Sequence, residues 1–193
     1  PRHTGFGSRR TPWCVRTLQA MGACCSGCIE QALPEGCDDV PGYAHLPAWS
    51  DLLYVGNQYA AAAGGFDTVI STVPPLDLDG SHAPHLSSHS LYFEDELGAE
   101  SSRALGVART RFVEGAELVA RSVARGARTL VHCAFGQNRS GSIVCAYAVL
   151  YLRWTGKDAI EYMRERTHAE REYADKSPMG NPAFCAIVAD LAR

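Results

Sequence analysis

Cys133 stands six residues before Arg139 in the run VHCAFGQNRSG at 131–141, with His132 ahead of the cysteine and Ser140 behind the arginine. These residue types at this spacing suit the capture of a phosphate dianion above a sulfur nucleophile. A tight loop with Gly136 at its middle can turn the backbone N–H groups of Ala134, Phe135, Gly136, Gln137 and Asn138 inward. A helix starting after it adds its N-terminal partial positive charge. Sulfur at the base of such a cradle is favoured as thiolate, which makes Cys133 the candidate nucleophile. Arg139 offers a planar fork for two phosphate oxygens, a geometry lysine cannot match. Ser140 can donate to the sulfur and ease its departure when a cysteinyl phosphate is hydrolysed.

Two elements must hold this loop. Residues 129–132, TLVH, are apolar and β-branched and predict a buried strand, while 140–154 is apolar on nearly every face and predicts a buried central helix. The uninterrupted apolar stretch 143–152 is too short to cross a bilayer, which takes about 20 residues. A leaving oxygen also needs a proton donor. The apolar run 90–93, SLYF, predicts a strand followed at once by Glu94, Asp95 and Glu96, with Gly98 giving the next loop freedom to close. Glu94, Asp95 and Glu96 are the candidate acids. Asp77 and Asp79 fall in a stretch that Pro74, Pro75 and Gly80 mark as irregular.

The remaining periodicity predicts scaffold. From 105, Ala108, Phe112, Ala116, Val119 and Val123 recur at helical steps and predict an amphipathic helix packed on the sheet. Residues 157–167 and 182–191 predict two further helices, the second opened by Asn181 as cap and Pro182 at its first position.

HCx5R followed by Ser, with Gly at the third position after the cysteine, resembles the signature loop of the cysteine-dependent protein tyrosine phosphatase superfamily. DLLYVGN at 51–57 with the alanine-rich 59–63, the strand-like 66–71, and NPAF at 181–184 resemble the compact dual-specificity class more specifically. The resemblance spans 47–193 and implies an α/β fold with a central mixed, mostly parallel sheet flanked by helices. It also implies an acid aspartate upstream of the cysteine, where Asp95 lies, and a bracing role for His132 on the loop backbone. The implied activity is hydrolysis of phosphotyrosine and phosphoserine or phosphothreonine in protein substrates, through a cysteinyl phosphate and without metal or other cofactor.

Two other readings of the loop stay open. One is a phosphoinositide or other non-protein phosphomonoesterase, although Ala134, Phe135, Gln137 and Asn138 bring no positive charge for a highly phosphorylated head group. The other is a catalytically silent phosphate-binding module, with bulky Phe135 obstructing the pocket or the acid misplaced.

Composition is that of a globular chain, 46% hydrophobic and 20% charged with a net charge of −3, and gives no hint of nucleic-acid binding. Residues 1–40 read as a separate flexible segment rich in Gly and Cys, ahead of a catalytic domain at 41–193. Within it, MGACCS at 21–26 matches an N-myristoylation pattern. If translation starts at Met21, Gly22 is the acylated residue, with Cys24 and Cys25 placed for palmitoylation. Two acyl chains hold a protein stably where one does so marginally. The expectation is a cytoplasmic protein with a membrane surface as candidate partner; a targeting peptide or a plain tail is the alternative. Cys24, Cys25, Cys28 and Cys37 lack the second CxxC pair or histidine spacing of a zinc site. Cys145 and Cys185 read as core, and His82, His85 and His89 as surface histidines of a loop.

Overall fold

The computed structural model describes residues 42–74, 87–95, 102–170 and 178–191. Its strands are β1 (Tyr43–His45), β2 (Leu53–Gly56), β3 (Thr68–Ser71), β4 (Ser87–Ser90) and β5 (Thr129–His132), and its helices α1 (Gln58–Ala63), α2 (Ser102–Ala124), α3 (Arg139–Leu152), α4 (Gly156–Glu170) and α5 (Pro182–Asp190). The strands form one sheet in the order β1-β2-β5-β3-β4. β1 pairs antiparallel with β2, and β2–β5, β5–β3 and β3–β4 run parallel. This is the mixed, mostly parallel sheet that the resemblance implied.

β5 sits in the middle of the sheet and all four of its residues are buried, as expected of a parallel strand covered on both faces. Its side chains alternate between two apolar clusters. Val131, with Val55 and Ile70 of the neighbouring strands, joins the main core built with α2, α3, α4 and α5; Leu130 and Val69 join a small cluster with Ala60 of α1 and Phe66. α3 runs through the main core, with every residue from Ser140 to Val149 buried. It ends where Arg153 takes a left-handed φ of 63° and the N–H of Trp154 reaches back to the Ala148 carbonyl at 3.1 Å, so the helix stops two residues short of the expected 154. α2 crosses α3 closely at Gly115, where an added Cβ would lie 2.7 Å from Ile143 Cδ1.

Three expectations shift. β1 had no counterpart in the sequence reading; three residues are too few to show a period. The strand placed at 90–93 is instead β4, Ser87–Ser90. β3 ends at Ser71, whose carbonyl accepts the last rung from Leu91 N at 2.7 Å. Leu91 and Phe93 stay buried and Tyr92 exposed beyond it, so the apolar alternation outlasts the hydrogen-bonded ladder. His89 lies within β4 and not in a loop, its Nε2 3.2 Å from Ser87 Oγ. Cys145 is fully buried and Cys185 half-buried. No described helix is long and apolar enough to cross a membrane. Asp77, Asp79, Glu96, His82, His85 and the whole of 1–40, with Gly22, Cys24, Cys25, Cys28 and Cys37, lie outside the described residues.

Candidate active site

β5 makes its last sheet contact through Cys133 N, 3.3 Å from the Gly56 carbonyl, and six residues later α3 begins at Arg139. The chain between them must fold back on itself. Gly136 does so with a φ of 69°, a left-handed conformation that a side chain would penalise. The turn aims Gly136 N at Cys133 Sγ, 3.0 Å away, and the first turn of α3 brings the Ser140 hydroxyl to 3.4 Å from the same sulfur. Cys133 is 2% exposed. Two donors thus converge on a buried sulfur at the N-terminus of a helix, an arrangement that stabilises negative charge there.

Arg139 leans across the carboxyl ends of the parallel strands. Its Nη1 donates to the carbonyls of Thr72 (3.4 Å) and Phe93 (3.5 Å), and its Nε lies 3.9 Å from Asp95 Oδ2, an ion-pair distance without a hydrogen bond. Asp95 is held from two more directions. Asn138 Nδ2 donates to Oδ2 at 3.5 Å, and Asn181 Nδ2 donates to the Asp95 carbonyl at 2.8 Å and to Oδ1 at 3.4 Å. The segment before Asp95 is anchored by Phe93, whose ring meets Phe112 of α2 at 5.5 Å and Phe184 of α5 at 5.8 Å in edge contacts.

His132 is the last residue of β5, immediately before Cys133. Its carbonyl accepts from both the N–H and the hydroxyl of Thr72, each at 3.0 Å. Burial drives the His132 ring down from 6.5 to about 4, against an opposing pull from the Cys133 backbone. It is a neutral imidazole in neutral solution.

The fold therefore brings Cys133, Gly136, Asn138, Arg139, Ser140 and Asp95 to one place. Ala134 and Gln137 lie half-buried on the same loop, and Phe135 projects from it, 51% exposed. Glu94 is exposed beside Asp95. The sequence reading did not anticipate Thr72 and Phe93, which act through backbone carbonyls that carry no residue-type signal. It took Asn181 for a helix cap alone; its spare amide donor was the one available hint.

The family model of the dual specificity phosphatase catalytic domain matches residues 87–176. Protein phosphatase Slingshot of Drosophila melanogaster is 40% identical over 48 residues, which are 25% of this chain and 5% of that protein. The Slingshot homolog of Xenopus laevis is 48% identical over 42 residues, 22% of this chain and 6% of that protein. The chain thus spans about a twentieth of the length of these curated relatives. The crystal structure of DUSP15 superposes with a TM-score of 0.58 at 21% identity, covering 77% of this chain and 85% of that one, and shares the fold. Residues 87–176, a little under half of the chain, thus match the dual specificity phosphatase catalytic domain, and this stretch contains the loop from Cys133 to Arg139 together with Asp95.

Proposed function

We propose that the domain hydrolyses phosphotyrosine and phosphoserine or phosphothreonine in proteins through a cysteinyl phosphate. The observation that carries this is the convergence of Gly136 N and Ser140 Oγ on Cys133 Sγ within one loop, with Asp95 3.9 Å from Arg139 beside it. Cys133 attacks phosphorus as the P–O bond to the substrate breaks, and Asp95 gives its proton to the departing oxygen. Arg139 and the backbone N–H groups of 134–138 hold the phosphoryl oxygens as charge spreads over them. Asp95, now a carboxylate, takes a proton from water, which attacks phosphorus; the S–P bond breaks and Ser140 donates to the released sulfur. No step calls for a metal.

A silent phosphate-binding module would need a misplaced acid or a blocked pocket, and the position of Asp95 favours the enzyme instead. The exposed Phe135 ring supports a protein substrate, because an apolar rim beside the loop suits neighbouring peptide side chains better than a sugar or inositol head group. The test is turnover of p-nitrophenyl phosphate by the full chain in reductant with excess chelator. Wild type is expected to be active, and Cys133→Ser to lose turnover on the order of a thousandfold or more. Wild-type activity abolished by chelator, or a Cys133→Ser variant that keeps turnover, would contradict the proposal. An inactive wild type that binds phosphopeptide would favour the silent module.

Membrane attachment through Gly22, Cys24 and Cys25 is a separate proposal, supported by the MGACCS pattern alone. Labelled myristate should enter the chain expressed from Met21 and be lost in Gly22→Ala. Label that survives the substitution would refute acylation at this site.

A further inference from the structure

Resting on the phosphatase reading, we propose that Asn181 and Asn138 are positioning residues that clamp the Asp95 carboxylate to the phosphate loop. Asn181 occupies the N-cap of α5, where its Oδ1 accepts from Ala183 N at 3.0 Å and Phe184 N at 3.3 Å. Capping needs only that oxygen, and serine, threonine or aspartate would supply one equally well. Asn181 uses its other half as well, donating through Nδ2 to the Asp95 carbonyl and Oδ1. Asn138 shows the complementary departure. It sits at the cap position of α3 but makes no side-chain cap bond. Its Oδ1 accepts instead from Gly180 N at 2.9 Å and Asn181 N at 3.3 Å, while Nδ2 donates to Asp95 Oδ2.

Each amide oxygen faces two backbone N–H donors, so each amide nitrogen must face the aspartate. The backbone makes this arrangement available: Met179, with a left-handed φ of 53°, turns the chain so that Gly180 N and Asn181 N both meet Asn138. The outcome is a closed ring running from the phosphate loop through 180–181 to Asp95 and back. One carboxylate oxygen is held by each asparagine, which fixes both the place and the rotation of the group. A half-buried carboxyl group without such partners would sample many orientations, and proton transfer tolerates little misplacement.

The Asn181→Ser variant separates the two tasks, since serine caps α5 but cannot reach Asp95 with a donor. Turnover is measured across aryl phosphates that differ in leaving-group basicity. The variant should lose about tenfold on unsubstituted phenyl phosphate and less than about twofold on the ester with the most acidic phenol, with its melting temperature close to wild type. Adding Asn181→Ser to Asp95→Asn should cause little further loss, because both act through one proton. If Asn181→Ser fails to fold, Asn181→Thr keeps the capping oxygen without the amide donor or a new charge and decides the matter by the same readout. An unchanged leaving-group dependence, or an equal loss on every ester, would overturn the clamp while leaving the phosphatase reading intact. A wild type without cysteine-dependent turnover would sink that reading itself.

Discussion

The roles proposed for Asp95 and Cys133 are separable, and substitutions should show it. Asp95→Asn is expected to lower turnover about a hundredfold or more for phosphate esters of alcohols, which leave only with a proton. Esters of acidic phenols should lose far less. Equal losses across both classes would remove Asp95 from the role and return attention to Glu94 and Glu96. His132 governs stability instead. Its ring titrates at about 4 in the fold against 6.5 ordinarily, so between those values the unfolded chain takes up a proton that the folded chain refuses. Stability is therefore full above pH 6.5 and falls as pH drops toward 4, by about 3 kcal/mol across the window, with no further loss from this group below it. Urea unfolding at several pH values should show this slope in wild type and a flatter one in His132→Asn; identical slopes would contradict it. That Cys133 and Arg139 lie close together was legible in sequence because one loop holds both at a fixed spacing. The clamp on Asp95 was not, because it depends on residues that only the folded chain brings together.

The elements place these groups through packing that leaves little slack. At the α2–α3 crossing, a Cβ on Gly115 would meet Ile143 Cδ1, Cγ2 and Cγ1 at 2.7, 2.8 and 2.9 Å. Alanine normally stabilises a helix interior by about 1 kcal/mol over glycine. The overlap should outweigh this, and Gly115→Ala should be destabilising by about 1–2 kcal/mol in a denaturant titration. A stabilised variant would show that the crossing can relax. Periodicity made α2 readable, an all-round apolar run α3, and the Asn181–Pro182 start α5. Strand limits were harder to read. Leu91 and Phe93 continue the alternation of β4 although its partner β3 has ended, so burial pattern and hydrogen-bonded ladder separate there.

Across the whole molecule, parallel pairing gathers the site. Because β3, β4 and β5 run the same way, Thr72, Asp95 and Cys133 all follow strands at the same edge of the sheet, where parallel α/β sheets bind their ligands. Strand order could not be read from residue types alone; the family resemblance implied only a mixed, mostly parallel sheet, and the order β1-β2-β5-β3-β4 comes from the fold. In the proposed reaction Cys133 carries the phosphoryl group between two steps. The most direct test mixes the full chain with p-nitrophenyl phosphate, quenches it in neutral denaturant during turnover, and examines the peptide bearing Cys133 by mass spectrometry. A phosphate on Cys133, absent from Cys133→Ser, is the predicted result; sustained turnover with Cys133 unmodified and the phosphate on another residue would contradict it.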